Sequence, residues 1–167
     1  ISITDGQIFL ESSLFFSGMR PAVNVGLSVS RVGGDAQTKA MKKAAGSLRI
    51  DLAQYREMEV FTQFSSDLDD ATKEQLEYGS GLMELLKQPL GKPMSLADKV
   101  ITLCAARHKV MLGIPTAKVK GFQMDMLSYF ASAHPEIARE IEETKDLSKE
   151  LSQKIVEIAE EFKKSRC

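Results

Sequence analysis

Residues 151–162 read LSQKIVEIAEEF, and this stretch decides the fold class. Its large apolar residues recur at three- and four-residue spacing: Leu151, Ile155, Ile158 and Phe162. This spacing is typical of one face of an α-helix, because each turn takes 3.6 residues. The stretch therefore predicts an amphipathic helix that packs its apolar face against neighbouring helices.

The same helical pattern extends back to Asp35, which we interpret as an N-cap after Gly33 and Gly34. One apolar stripe follows this cap: Met41, Ala44, Ala45, Leu48, Leu52 and Tyr55. Gly46 lies within the stripe, and we expect it to bend or split this helix.

Cap residues and helix breakers divide the rest of the helical region. The run SSDLDD at 65–70 offers caps for a helix that reaches about Gln88. Ser95 and Asp98 resemble a capping box for a helix that continues to about Leu112.

Two more helices precede the final one. The first carries three large apolar residues: Phe122, Leu127 and Phe130. Pro135 is suited to the first turn of the second of these helices, because a backbone N–H at that position would have no hydrogen-bond partner within the helix. The pattern predicts a bundle of about six helices.

Two short strands are predicted ahead of the helices. Gln7–Leu10 follows a turn signal, and Val23–Ser30 alternates strictly between apolar and small or polar residues. Gly18 and Pro21 mark the loop between them. Because two strands alone are marginal in water, we expect them to belong to a larger sheet that this chain lacks.

Composition excludes several classes of function. The net charge of −1 gives no support for nucleic-acid binding, and no apolar run approaches the length of a membrane span. Cys104 and Cys167 are the two cysteines, which is no disulfide framework and suits a reducing compartment.

Few residues offer chemistry of their own. Cys104 and His108 are four apart, but with two histidines in the chain we interpret Cys104 as a small core residue. No phosphate-binding GxxxxGK[ST] loop is present. Asp35 would repel a phosphate from the glycine-rich segment at 33–39, which we interpret as a structural cap.

Arg31 remains as a candidate, with two interpretations. It follows the second predicted strand, with Ser28 nearby and Gly33 and Gly34 leaving room for a close approach. The guanidinium is either a solvated surface group or one presented to a phosphate on a partner. Guanidinium binds phosphate oxygens with two parallel donors, as lysine cannot.

Four motifs carry a resemblance to a known family. They are SITDGQIFLE at Ser2–Glu11, GMRPAVNVGLSVSRVGG at Gly18–Gly34, LAQYRE at Leu52–Glu57 and ELLKQ at Glu84–Gln88. In this order they resemble the alpha-subunit family of F-type ATP synthases. The resemblance is looser after residue 95, and the acidic DELSEED-type stretch of beta subunits is absent.

The resemblance implies that the chain is the C-terminal third of such a subunit. Residues 1–34 would be the last strands of a truncated P-loop-type nucleotide-binding domain, and 35–167 the C-terminal α-helical domain. The expected fold class is then mainly α, a bundle of about six helices preceded by a two-strand β remnant.

In this family alpha and beta subunits alternate in a hexameric ring, with catalytic sites at their interfaces. The resemblance implies that Arg31 reaches in trans to nucleotide phosphates held by beta, and that Ser28 and Ser2 belong to the same catalytic region. An arginine finger accelerates phosphoryl transfer by roughly 10³ to 10⁵. The isolated chain is expected to be inactive.

The resemblance also implies a second, non-catalytic nucleotide pocket. Arg20, Pro21 and Gln88 match positions that line its adenine site, while Leu90 stands where relatives commonly have another glutamine. ATP or ADP with Mg²⁺ are the implied cofactors of the full complex. We expect none to bind tightly to this chain, and no metal site of its own.

The implied partners are the beta subunit and the gamma subunit of the central shaft, with no nucleic acid and no direct membrane insertion. The complex would sit peripherally on the cytoplasmic side of a bacterial inner membrane, or on the matrix or stroma side in an organelle. It would couple a proton gradient to ATP synthesis or hydrolysis. The alternative is a self-contained helical interaction module without nucleotide chemistry.

Overall fold

The structure is a computed structural model that describes residues 5–62 and 68–166. Its elements, in chain order, are β1 Gly6–Gln7, α1 Ser12–Phe16, β2 Val29–Ser30, α2 Arg31–Ala36, α3 Lys39–Ala44, α4 Leu48–Thr62, α5 Asp70–Leu86, α6 Leu96–Arg107, α7 Thr116–Ala133, α8 Pro135–Thr144 and α9 Lys149–Arg166. Within these residues six helices, α4 to α9, have ten or more residues. The predicted fold class, mainly α with a two-stranded antiparallel sheet at the N-terminus, is confirmed.

The N-terminal strands are shorter than predicted. Gly6 pairs with Ser30 and Gln7 with Val29, and beyond them an isolated bridge joins Leu10 to Val23. Residues 25–27 form a turn where the alternating pattern predicted a continuous strand. The reason is the side chain of Asn24, described below, which offers the backbone a hydrogen bond that competes with the sheet ladder.

The cap predicted at Asp35 is wrong, because Asp35 lies inside α2. Ser30 caps α2 instead, and its hydroxyl accepts a hydrogen bond from the Gly33 N–H over 3.0 Å. Thr38 then caps α3 by accepting from the Met41 N–H over 3.2 Å. Ser and Thr each sit three residues before the N–H that they satisfy, which is the usual N-cap spacing.

The helix predicted from Asp35 is split at Gly46, as expected: α3 ends at Ala44 and α4 begins at Leu48. The chain forms two compact units, and this break is one of the points at which it passes from one unit to the other. Unit 1 comprises Ile1–Gln37 and Ser47–Lys92, and unit 2 comprises Thr38–Gly46 and Pro93–Cys167. The single apolar stripe predicted across Gly46 is therefore divided between the units. The domain division into 1–34 and 35–167 stays a prediction.

Unit 1 is built on the pairing of α4 with α5. Leu52 of α4 and Leu82 and Leu85 of α5 are buried. Asp69 caps α5 by accepting from the Thr72 N–H over 2.9 Å, so the predicted cap region at 65–70 contains the cap.

Unit 2 is centred on α6, which contacts α3, α7, α8 and α9. Every residue from Val100 to Ala106 is buried, as expected for a helix that is surrounded by others. Ser95 is its N-cap, as predicted, and accepts from the Asp98 N–H over 3.0 Å. The helix ends at Arg107 rather than at Leu112, because Lys109 adopts a left-handed conformation with φ of 59°.

Residues 151–162 form most of α9. The four residues of its predicted stripe are all buried: Leu151, Ile155, Ile158 and Phe162. Pro135 occupies the first turn of α8, also as predicted. In the part of the chain that the structure describes, no helix is both long and apolar enough to span a membrane.

Candidate functional site

The predicted site residues lie in unit 1, on the segment 20–31 and at the loop that follows α5. Ser2 falls outside the described residues, so its predicted place in the catalytic region stays a prediction.

Arg31 is the first residue of α2 and directly follows β2. Its backbone N–H donates to the Asp5 carbonyl oxygen over 3.1 Å, and its Nη2 donates to Asp5 Oδ1 over 2.9 Å. The side chains of Arg31 and Asp5 are 77% and 57% exposed. An exposed ion pair stabilises a protein by about 1 kcal/mol at most. Asp5 therefore orients the guanidinium without removing it from solvent.

Ser28 uses its hydroxyl within the chain. The hydroxyl donates to the Asn24 carbonyl oxygen over 2.6 Å and accepts from the Phe9 N–H over 3.0 Å. These bonds tie the segment around residue 28 to the segment around residue 9. Ser28 and Arg31 thus have different hydrogen-bond partners, although they lie close in sequence.

Asn24 is the residue that the sequence analysis missed. Its side chain is buried, accepts from the Leu27 N–H over 3.0 Å and donates to Glu11 Oε1. It thereby holds the turn that precedes Ser28 and joins it to Glu11. An asparagine followed two residues later by Gly26 is a turn signal, and this signal could have interrupted the predicted strand.

Arg20 and Gln88, two residues of the predicted non-catalytic pocket, are joined by a backbone hydrogen bond, while their role in a pocket stays a prediction. The Gln88 N–H donates to the Arg20 carbonyl oxygen over 2.9 Å, next to Pro21. The guanidinium carbon of Arg20 lies 4.6 Å from the centre of the Phe15 ring, a cation–π distance. The Gln88 side chain donates from Nε2 to the Lys92 carbonyl oxygen over 3.0 Å.

The space beside these residues is small. An apolar cavity of about 20 Å³ in unit 1 has room for at most one water molecule. It is lined by Met19, Val23, Val25, Gly26, Leu52, Ala53, Arg56 and Met83. Leu90 is fully exposed. Arg20, Arg31 and Gln88 are all exposed, so unit 1 presents polar groups from both predicted nucleotide sites on its surface.

The interpretation of Cys104 as a core residue is confirmed. The thiol is buried, its Sγ lies 3.2 Å from Ser152 Oγ, and burial raises its pKa, a shift that Ser152 partly opposes. His108 Nδ1 lies 2.9 Å from the Cys104 carbonyl oxygen, so the ring caps its own helix. Within residues 5–62 and 68–166, no three His, Cys, Asp or Glu side chains form a group that could hold a metal ion.

Comparisons with known proteins agree on one family. The family described as "ATP synthase alpha/beta chain, C terminal domain" matches residues 37–162. An ATP synthase subunit alpha of Clostridium kluyveri is 55% identical over 164 residues, which are 98% of this chain and 32% of that protein. The subunit alpha of Petrotoga mobilis is 52% identical over 97% of this chain and 32% of that protein. That of Mycolicibacterium smegmatis is 51% identical over 98% of this chain and 30% of that protein. The chain thus spans about a third of the length of these relatives.

Proposed function

Because this chain belongs to the ATP synthase alpha/beta chain family, we propose that it is the part of an alpha subunit that completes a neighbouring beta subunit's catalytic site. The observation that carries the proposal is the guanidinium of Arg31. It is exposed, fixed in charge and held at the junction of β2 and α2 by two contacts to Asp5.

The role of Arg31 is electrostatic. Phosphoryl transfer spreads negative charge over the terminal phosphate oxygens, and a preplaced guanidinium stabilises that charge with two donors. The weak ion pair with Asp5 is easily exchanged for phosphate, because both side chains are solvated. Arg31 would thus act only when a partner brings the phosphate, together with its Mg²⁺, to the surface of unit 1.

Ser28 has a positioning role in this proposal. Its two hydrogen bonds, to Asn24 and from Phe9, fix the backbone that leads to Arg31. Ser2 is proposed to lie near the same phosphate, on the basis of the SITDGQIFLE motif alone.

Arg20, Pro21 and Gln88 are proposed to line the adenine pocket of a second nucleotide that is bound and not hydrolysed. The hydrogen bond between Gln88 and Arg20 supports this, since it joins two distant segments at one place. The beta and gamma subunits are the proposed partners, in a ring peripheral to a membrane that couples a proton gradient to ATP turnover. We propose that the isolated chain hydrolyses no ATP.

The test is Arg31→Lys in a full-length alpha subunit assembled with its complex. Lysine keeps the charge but loses the two-donor fork, so we expect ATP hydrolysis to fall by at least about 100-fold with assembly intact. Arg139→Lys is the matched control, because Arg139 is an exposed helical arginine of unit 2. Turnover within about twofold of the parent complex would overturn the proposal. If Arg31→Lys instead impaired assembly, while each complex that did form hydrolysed ATP at the normal rate, the alternative of a helical interaction module would be favoured.

A further inference from the structure

A second concentration of polar groups lies in unit 2, whereas the residues discussed for nucleotide binding belong to unit 1. A groove of about 490 Å³ is bounded by the end of α3, the end of α6 and the start of α9. Its lining residues are Lys43, Arg107, His108, Leu147, Ser148, Lys149, Ser152 and Gln153. The volume falls in the range of small-ligand pockets.

The groove is basic although the chain is not. Lys43, Arg107 and Lys149 give it three fixed positive charges, and no carboxylate lines it. The whole chain has a net charge of −1, so this concentration of positive charge is local. Asp146, which does not line the groove, pairs with one of these cations: its Oδ1 lies 2.7 Å from Lys43 Nζ. Two carboxylates contact lining residues, Asp146 at Lys43 and Glu157 at Gln153, whereas three cations line the groove itself, which leaves it attractive to anions.

Two of the cations are held in place by backbone oxygens. Arg107 donates Nη1 to the Lys43 carbonyl oxygen, and Lys43 donates Nζ to the Leu147 carbonyl oxygen over 3.1 Å. Each bond uses one of several donors on its side chain, since guanidinium has five N–H groups and ammonium has three. Because Lys43 Nζ also contacts Asp146 Oδ1, Arg107 keeps more of its donors for a ligand than Lys43 does. Both side chains are already ordered by these contacts, which reduces the entropy lost when a ligand binds.

Most of the uncharged polar side chains that line the groove already make hydrogen bonds within the chain. The Ser148 hydroxyl accepts from the Leu151 N–H over 3.0 Å, and Gln153 Nε2 donates to Glu157 over 3.1 Å. Ser152 Oγ lies against the Cys104 thiol. The side-chain cations, with His108 at the end of α6, are therefore the groups that would hold an anion.

We propose that this groove binds a phosphate-bearing anion, at a site separate from the nucleotide chemistry of unit 1. Arg107 and Lys43 would contact the phosphate oxygens from one wall, and Lys149 from the other. Phosphate is favoured over a carboxylate because three cations lining one groove match its higher charge and its larger number of acceptor oxygens. The role is binding alone, since the groove contains no nucleophile aimed at a ligand.

The test is a nitrogen-15 NMR titration of the 167-residue chain with inorganic phosphate and with pyrophosphate, against chloride at equal ionic strength. We expect saturable shifts at the amides of residues 147–153 and 107–108, with pyrophosphate binding more tightly. Lys149→Ala should weaken binding by about two- to fivefold, the range expected for the loss of an exposed charge contact. Lys118→Ala is the matched control, because it too is an exposed lysine in the first turn of an 18-residue helix.

A separate arm distinguishes the source of the phosphate. Sedimentation with phosphatidylcholine vesicles that contain phosphatidylglycerol tests for a lipid headgroup. If Lys149→Ala abolishes binding to these vesicles and Lys118→Ala does not, the ligand of the groove is a lipid headgroup. Saturation by free pyrophosphate without vesicle binding would assign it to a soluble ligand. No saturable shift beyond chloride together with no vesicle binding would overturn the proposal, as would equal weakening by Lys118→Ala.

Discussion

Gly79 shows how one missing side chain sets the distance between two helices. It is a buried residue of α5, and a Cβ at this position would overlap the Cβ and ring atoms of Tyr55 on α4. These atoms lie near the Tyr55 backbone, so they cannot move aside without moving the helix. Glycine therefore allows the close contact of α4 with α5 that unit 1 is built on.

We expect Gly79→Ala to destabilise the chain by roughly 1–2 kcal/mol. The overpacking costs about 1–3 kcal/mol, and the better helix propensity of alanine offsets up to about 1 kcal/mol of it. Gly81→Ala in the same helix is the control, because no heavy atom lies within 4 Å of its added Cβ. That change should stabilise the chain slightly. The free energy of unfolding in urea measures both, and equal effects of the two substitutions would contradict this account.

Arg31 illustrates what could be predicted at the site and what could not. Its place after a strand end was predictable from the local pattern, and it directly follows β2. Its partner Asp5 and the contact of Arg20 with Phe15 were not, because both join segments that are distant or unpatterned in the sequence. Secondary-structure propensity and hydrophobic periodicity describe the helix or strand to which a residue belongs. Contacts such as Arg31–Asp5 and Arg20–Phe15 depend instead on the conformation of the connecting loops.

At the scale of elements, prediction succeeded where one periodic signal dominated. The stripe of α9 and the caps Ser95 and Asp69 were predictable because each rests on spacing within a single helix. The end of α6 was not, because the left-handed residue there is Lys109 and carries no glycine signal. The strand predicted at Val23–Ser30 was too long because the Asn24 side chain competes for the backbone N–H groups.

The contact between α6 and α7 contains a buried polar pair. Gln123 Nε2 donates to Thr102 Oγ1 over 3.2 Å, and both residues are almost fully buried. Gln123 Oε1 has no hydrogen-bond partner among the described residues. The pair is therefore only partly satisfied, which makes its contribution to stability depend on keeping both members.

We expect Thr102→Val to destabilise the chain by about 1–2 kcal/mol, because it leaves the buried Gln123 amide with only the weak Met94 sulfur acceptor at 4.0 Å. Adding Gln123→Met should recover most of that loss, since an apolar pair of similar size needs no hydrogen bond. A double-mutant cycle from urea unfolding measures the coupling. Additive effects of the two substitutions would show that the pair does not act as a unit.

On the scale of the whole molecule, ionisable groups define the pH range in which the chain is stable. Hydrogen bonds to the carboxylates lower the pKa values of Asp69, Glu136, Glu142 and Asp146. Desolvation raises the pKa values of Tyr55 and Cys104. The four carboxylates lose their stabilising effect as the pH falls, because the unfolded chain takes up protons before the folded chain does. Tyr55 and Cys104 lose theirs as the pH rises, because the unfolded chain releases protons before the folded chain does. The chain should therefore be most stable near neutral pH, where the four carboxylates are ionised and Tyr55 and Cys104 are protonated.

Glu142 offers the sharpest test of the acid limit. Its carboxylate accepts from Lys145 Nζ over 2.6 Å and from the Ala97 N–H over 3.2 Å, which lower its pKa below the ordinary value of 4.5. The folded chain thus holds its proton less tightly than the unfolded chain, so stability is lost as the pH falls through the folded pKa. Glu142→Gln keeps an acceptor for Ala97 but cannot titrate.

We expect the urea midpoint of Glu142→Gln to fall less than that of the parent chain between about pH 5.5 and pH 3. Glu143→Gln, an exposed neighbour on the same helix, controls for the loss of one charge and should follow the parent. Because Glu142 links the last turn of α8 to the first turn of α6, its protonation should weaken unit 2 in particular. An acid slope that is the same in all three chains would place the acid sensitivity of the molecule in its other carboxylates.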